Sequence, residues 1–383
     1  MKYRAFGKTG LKVSALGFGA MRLPVLPANP RKPKAAKVVD KDEAVAIIRR
    51  AIDQGVNYVD TAYGYHGGES ERIVGLALQD GYRAKTFVAT KFPCWKWKRD
   101  GDFGRILNTQ LKRLQTDSID FYLLHALGAD TWKNVVLAHG LIEKMVEARN
   151  AGKIRHIGFS FHDSLDVFKT IVDYTDVWEF CQIQLNYLDT EFQAGLAGLR
   201  HASARGLAVI AMEPLQGGSR ASLPPTAARV FKDTARTPVE WGFDFLWNMP
   251  EVSMLLSGMG SRQMVDEDVA YASRARVGML RPADVAVIAQ ARQTMQGADT
   301  IPCTACEYCL PCPHGVAIPY NFRAYNNLLK GKAKAECEAQ YANWVPMFGH
   351  RADACVGCRA CEPKCPQHIA IADRMKDVAA AFA

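Results

Sequence analysis

Eight of the eleven cysteines stand in two short runs near the C-terminus. The first is Cys303, Cys306, Cys309 and Cys312, followed by Pro313; the second is Cys355, Cys358, Cys361 and Cys365, followed by Pro366. Two residues between thiols let consecutive thiolates leave one tight turn toward corners of the same cubane. The run C-x2-C-x2-C-x3-C-P does this, with its fourth cysteine crossing to a neighbouring cluster. The second run fits that spacing, and the first is one residue shorter before Cys312. The pattern predicts two [4Fe–4S] clusters. One would rest on Cys303, Cys306, Cys309 and Cys365, the other on Cys355, Cys358, Cys361 and Cys312. Structural zinc usually draws on separated C-x2-C pairs, a poorer match. Disulfides would need an oxidising compartment. The start MKYRAFGKTGLKV has no apolar core or small-residue cleavage site, so a cytoplasmic protein is expected. Cys94, Cys181 and Cys337 need no ligand role, since a buried cysteine is a common small hydrophobe.

A second set of reactive side chains is spread through the first 275 residues, each at the end of a short β-branched, apolar run. The runs are Val13–Gly19, Asn57–Ala62, Phe87–Phe92, Ser118–His125, His156–His162, Phe180–Tyr187, Leu207–Pro214 and Val252–Met259. Segments with helical apolar spacing lie between them, such as Glu43–Gln54, Phe103–Gln115 and Trp132–Asn150. Alternating strands and helices imply a parallel sheet with crossover helices, and eight units over about 250 residues is the size of a closed (β/α)8 TIM barrel. An open doubly wound sheet would carry a Gly-rich turn after its first strand, which Gly17-Phe18-Gly19-Ala20 does not complete. Barrel chemistry sits at the C-terminal strand ends. Those ends read Asp60, Lys91, His125, Ser160, Gln182, Met212 and Ser257. Singly, each has a structural explanation: a turn cap, a solvated lysine, a hydrogen-bonded core histidine. Together, at successive strand tips, they describe the mouth of one site.

The chain of 383 residues is long enough for two domains, and its composition is that of an ordinary globular protein. No run of some 18 apolar residues predicts a membrane span. The net charge of +9 is scattered apart from Arg31, Lys32, Lys34 and Lys37 in a Pro-rich insertion, which reads as a solvated loop. A nucleic-acid partner is therefore not expected, although a positive field favours anionic ligands.

The strand-tip motifs carry a family resemblance. Val59-Asp60-Thr61-Ala62-Tyr63-Gly64-Tyr65 resembles the aldo-keto reductase signature, with aspartate and catalytic tyrosine five apart. Ala89-Thr90-Lys91 and Leu123-Leu124-His125 resemble the family's lysine and histidine, and Arg4–Val13 its barrel-closing hairpin. The likeness covers about residues 1–275, and with the tail the chain resembles the branch carrying a C-terminal ferredoxin-like domain. The resemblance implies that Tyr65 protonates a carbonyl oxygen, that Lys91 makes the phenol more acidic, that Asp60 holds Lys91, and that His125 orients the carbonyl. Tyr63 competes with Tyr65 and is set aside only by the family's five-residue offset. It also implies NADP or NAD as cofactor. Ser160 and Gln182 would hold the carboxamide, and Met212 would stand where an aromatic usually stacks on the ring. Gly258 would lie in the phosphate turn, Arg262 against the adenosine phosphate or adenine, and Glu267 at the adenine edge. With Arg262 the only local cation after the eighth strand, NADPH is favoured only slightly over NADH. Cys94, Trp95 and Trp97 follow Lys91 and would wall a pocket for an apolar or aromatic carbonyl or alcohol.

Residues 276–300 read as a linker helix starting at Pro282 and ending at Gly297, and 301–383 as a smaller all-α ferredoxin-like domain. Tyr320–Leu329 and Lys332–Trp344 read as its helices, and the segments Ile318-Pro319 and Ile369-Ala370-Ile371 follow the two Cys-Pro turns in parallel, as pseudo-twofold halves would. Nicotinamide delivers two electrons and a cluster accepts one, so a redox partner protein is one expectation. A redox sensor or electron-transfer subunit with little turnover is the alternative to a carbonyl reductase.

Overall fold

The computed structural model describes residues 1–27, 37–218, 229–232, 234–296 and 300–383. Arg31, Lys32, Lys34 and Gly297 lie outside the described residues. Eight parallel strands close a barrel in chain order. They are β1 (Leu16–Gly19), β2 (Tyr58–Asp60), β3 (Phe87–Phe92), β4 (Ile119–Leu127), β5 (Ile154–Phe161), β6 (Phe180–Gln184), β7 (Ala208–Met212) and β8 (Val252–Ser257). β8 returns to β1 through the pair Ser257 and Phe18. Both faces of these strands are covered, which is why their sequences are almost continuously apolar.

Side chains alternate along a strand, so the residue two past a core position faces the same way. Tyr58, Ala89, Leu123, Phe180 and Ile210 belong to the barrel's inner apolar cluster. Two positions further on stand Asp60, Lys91, His125, Gln182 and Met212. A polar layer therefore lies directly on an apolar one at the C-terminal strand ends. Gly158 makes room inside: a Cβ there would sit 2.5 Å from the Phe180 carbonyl oxygen. The opposite end is closed by the hairpin of Tyr3–Ala5 and Lys12–Ser14, whose Phe6 ring packs 4.8 Å from Phe121 and 5.5 Å from Phe180.

Two expected elements are divided. Val13–Gly19 reads as one strand, but Lys12–Ser14 pairs back on Tyr3–Ala5 and the barrel strand begins only at Leu16. Trp132–Asn150 reads as one helix, but Gly140 adopts φ 58 and separates the wide-turned segment Trp132–Leu137 from the helix Leu141–Asn150. The helix Lys41–Asp53 starts where Asp40 accepts a hydrogen bond from the Glu43 amide at 3.2 Å.

The chain forms two compact units: Met1–Leu26, Val38–Pro214 and Phe243–Leu280 make the first, and Pro27–Lys37, Leu215–Gly242 and Arg281–Ala383 the second. The second contains the helices Pro282–Gln296, Ile318–Leu329, Lys334–Ala339 and Ile371–Ala381. Ile301, Val316, Phe322, Tyr341, Val345 and Met375 form part of its own apolar core. Between residues 301 and 383 the β pairing is a single bridge, Val316 with His350. Among the described residues no helix is long and apolar enough to cross a membrane.

Candidate active site and metal centre

β2 and β3 are neighbours, with Asp60 opposite Ala89, and this register brings Lys91 beside Asp60. Both side chains are buried. The Lys91 ammonium donates to Asp60 Oδ1 and, at 2.9 Å, to the Thr61 carbonyl. Its third neighbour is Tyr65 Oη at 3.5 Å. The other Asp60 oxygen, Oδ2, accepts from Gln182 Nε2 at 2.7 Å across the barrel. Burial pulls the Lys91 pKa down while the Asp60 charge and hydrogen bond oppose that fall. His125 completes the group: its ring lies edge-on to Tyr65 at 6.1 Å, and Trp95 packs against its other side at 5.0 Å. Burial, then the Lys91 cation, then His162 hold the His125 pKa well below the usual range, so the imidazole is neutral.

Tyr63 turns elsewhere. Its ring lies under the Arg113 guanidinium at 4.5 Å, and its carbonyl accepts from Arg113 at 3.1 Å. Tyr65 alone of the two reaches Lys91, because the chain reverses after it through His66, Gly67 and Gly68, all at positive φ. His66 Nε2 accepts from the Leu23 amide at 3.3 Å and pins that turn.

A polar network missed by the sequence reading backs the site. Glu71 is fully buried and accepts from Thr90 Oγ1 and Gln110 Nε2 at 2.7 Å each, and from Arg113 at 3.0 Å. Gln110 also donates to the Lys91 carbonyl at 3.0 Å. These partners are up to 42 residues apart, so no local pattern announces them.

The expected cofactor residues divide into two groups. Ser160 and Gln182 are neighbours in register on β5 and β6. Ser160 Oγ accepts from the Ala126 amide at 2.8 Å, which leaves its hydroxyl proton to donate, and Gln182 retains its carbonyl as an acceptor. One donor beside one acceptor is what a carboxamide requires. Met212 ends β7, paired with Gln184. After β8, Gly258 lies beneath the Arg22 side chain, whose Cβ is 3.2 Å from where a Gly258 Cβ would stand. Arg262 is exposed and paired with Glu43 at 2.8 Å, while Glu267 accepts from Gln263 at 2.7 Å. Ser257 donates to the buried Asp268 at 2.7 Å, and burial pushes that carboxyl up to about 7. Cys94 is buried and its thiol is pushed up to about 12.

Among the described residues of the second unit no cysteine forms a disulfide. Cys303, Cys306, Cys309 and Cys365 line one cavity together with Ile318, Phe322 and Ile369. Cys312 and Cys355 lie close enough to Cys361 to act on it electrostatically. Two backbone turns of the same design carry these thiols. Ala305 and Gly357 (φ 52 and 74) precede the second cysteine of each run, and Glu307 and Arg359 (φ 64 and 57) follow it. Three residues past the fourth cysteine come Gly315 and His368 (φ 69 and 50). Each of those amides donates back to its cysteine carbonyl, Gly315 to Cys312 at 2.9 Å and His368 to Cys365 at 3.1 Å. Left-handed residues on either side of a cysteine are suited to turn backbone N–H groups toward one concavity, as at iron–sulfur sites. Among the described residues no three metal-binding side chains converge on a point for a single ion. Thiols around a cavity suit a cubane better than mononuclear zinc. The extra residue of the second run is absorbed by the one-turn helix Glu362–Lys364.

Residues 15–275 match the Aldo/keto reductase family, and residues 302–371 match the 4Fe-4S dicluster domain. L-galactose dehydrogenase of Arabidopsis thaliana is 28% identical over 298 residues, covering 70% of this chain and 88% of that protein. Aldo-keto reductase YhdN of Bacillus subtilis is 33% identical over 183 residues, covering 45% of this chain and 51% of that one. Among solved structures, aldo-keto reductase AKR11C1 from Bacillus halodurans superposes with TM-score 0.62 at 24% identity, covering 76% of this chain and 96% of that one. An aldo/keto reductase from Klebsiella pneumoniae in complex with NADP and acetate gives 0.60 at 22% identity, covering 76% and 94%. At those identities the structural likeness establishes the barrel fold.

Proposed function

Because the chain belongs to the aldo/keto reductase family and carries a 4Fe-4S dicluster domain, we propose that it is an NAD(P)H-dependent carbonyl reductase or alcohol dehydrogenase holding two [4Fe–4S] clusters. The observation that carries this reading is the chain of contacts from Gln182 through Asp60 and Lys91 to Tyr65, with His125 alongside.

When bound, a reduced nicotinamide supplies the hydride that a carbonyl carbon accepts. Tyr65 Oη gives its proton to the oxygen as charge builds there. The Lys91 ammonium then faces the phenolate, and Asp60 keeps that ammonium charged inside a buried site. His125, neutral, donates a hydrogen bond to the carbonyl oxygen and orients it. General acid catalysis of this kind contributes roughly 10²–10⁴ in rate. Ser160 and Gln182 supply the donor and acceptor for the carboxamide, and the half-exposed Trp95 beside His125 supports an apolar or aromatic substrate. Cys303, Cys306, Cys309 and Cys365 would hold one cluster and Cys355, Cys358, Cys361 and Cys312 the other; the shared cavity and the matching left-handed turns support that division.

A second reading, a redox sensor or electron-transfer subunit, is favoured by Arg262 being engaged with Glu43 and by Met212 at the ring-stacking position. Anaerobic purification, iron, sulfide and zinc analysis, and NADPH or NADH oxidation with a panel of carbonyls separate the two. The reductase reading expects about eight irons per chain from two four-iron clusters, turnover of at least one carbonyl, and a roughly 10²–10⁴-fold loss in Tyr65→Phe. A Tyr65→Phe variant as active as the parent overturns the acid assignment. Clusters that bleach with NADPH in the absence of any turnover favour the sensor.

A further inference from the structure

The two cysteine turns share one more pair of contacts, which ligation does not explain. Glu307 and Arg359 occupy the same step of each turn, just after the second cysteine, and both are non-glycine residues in the left-handed region. That conformation costs free energy unless the surroundings hold it. Each residue is tied by its side chain to the third residue of a helix that follows a Cys-Pro turn. Tyr320, third in Ile318–Leu329, donates its hydroxyl to Glu307 Oε1 at 2.7 Å. Asp373, third in Ile371–Ala381, accepts from Arg359 Nη2 at 2.9 Å on both carboxylate oxygens. The chemistry differs, and the geometry is the same.

Both ties are solvent-exposed, and each is set within further contacts. Exposed ion pairs contribute little on average, but Arg359 spans two carboxylates, Nη2 to Asp373 and Nη1 to Glu362 at 3.2 Å. The Glu362 carboxylate in turn accepts from the Ala372 amide at 3.0 Å, at the start of the same helix. Tyr320 is held rigidly, its ring stacked on Phe348 at 3.9 Å and edge-on to Trp344 at 5.3 Å. Because the fourth cysteine of each run crosses to the other cluster, each tie joins a turn bearing three ligands of one cluster to the segment bearing the last ligand of the other.

We propose that Glu307–Tyr320 and Arg359–Asp373 are equivalent clasps, positioning residues that close each cluster turn onto the helix that follows it in the same half. The inference rests on the two-cluster reading above. It goes further by assigning four residues outside the ligand set, with an acidic residue directly after Cys306 in sequence where the other half has a basic residue directly after Cys358.

The test uses the full chain purified or reconstituted without oxygen. Iron and sulfide content, iron release to a chelator and EPR-monitored reduction midpoints are compared across variants. Glu307→Ala and Tyr320→Phe are expected to release about half of the iron, that of one of the two four-iron clusters, at least tenfold faster than the parent, with the second cluster's EPR signal unchanged. Glu307→Gln retains an oxygen for the Tyr320 hydroxyl, so it should release iron at the parental rate. It also removes the negative charge, and should raise one midpoint by about 59 mV if the reduced fraction changes tenfold at fixed potential. The double variant Glu307→Arg with Tyr320→Asp imports the second clasp into the first half and should restore slow release. Equal release from Glu307→Ala and the parent overturns the proposal, as does a double variant no slower than Glu307→Ala. If Glu307→Ala fails to fold, Tyr320→Phe and Glu307→Gln decide by the same criteria. A parent chain without iron and sulfide would instead sink the cluster reading itself.

Discussion

Replacing Asp60 by asparagine tests the centre of the proposed mechanism. Lys91 is buried, and its ammonium has three neighbours: Asp60 Oδ1, the Thr61 carbonyl at 2.9 Å and Tyr65 Oη at 3.5 Å. In Asp60→Asn the new side-chain amide would have to offer its carbonyl to Gln182 Nε2, which now donates to Asp60 Oδ2 at 2.7 Å. Its NH2 would then face the ammonium, donor against donor. Burial already lowers the Lys91 pKa, and the Asp60 charge and hydrogen bond are what oppose it. Without them the amine sheds its proton, since a broken buried pair costs about 3–5 kcal/mol. The cation beside Tyr65 is lost with it. The expected result is a kcat reduced roughly 10²–10⁴-fold, about 3–5 kcal/mol in barrier, with NADPH affinity nearly unchanged. Stopped-flow single turnovers measure the first quantity and fluorescence titration the second. The stability deficit has a pH signature. Folding must strip a proton that the unfolded Lys91 holds below its ordinary pKa, so the deficit is largest near neutrality and shrinks as pH rises toward ~10.4. Urea unfolding at pH 7 and pH 9.5 reads it. Kinetics within threefold of the parent, with a deficit independent of pH, would refute the reasoning.

Three further outcomes follow from the same geometry. Glu71→Ala leaves the Arg113 guanidinium, Thr90 and Gln110 facing an empty buried position, so denaturant unfolding should show a loss of about 3–5 kcal/mol and a weaker kcat from a displaced Lys91. Asp268, raised by burial to about 7, binds its proton more tightly folded than unfolded. Its contribution is intact below pH ~3.9 and is lost as pH rises through 7, up to about 4 kcal/mol. Asp268→Asn should therefore raise Tm at pH 8 and leave it nearly unchanged at pH 4. Gly158→Ala sets a methyl against the Phe180 backbone oxygen at 2.5 Å, and should lower thermal stability by about 1–3 kcal/mol while leaving iron and sulfide content at the parental level.

Local chemistry in the sequence was enough for the barrel and for much of its mouth. The strands read as apolar runs because each is covered on both faces, and a period of two carries a core residue such as Tyr58 or Ala89 to a polar tip at Asp60 or Lys91. The cysteine runs were legible for a similar reason: ligands for one turn must lie close in sequence, and the left-handed residues between them are what such turns demand. That Tyr65 and not Tyr63 stands beside Lys91 was not legible from residue type. It follows from a chain reversal through His66, Gly67 and Gly68 and from Arg113, which occupies Tyr63 from a distant helix. The break at Gly140 was missed because a glycine inside an apolar helical pattern reads the same whether its φ is negative or positive. Glu71, Gln110 and the two clasps escaped for one physical cause. Their partners meet only when the chain folds back, and a buried carboxylate or an arginine–carboxylate pair is decided by which segment packs against it, which residue order does not encode locally.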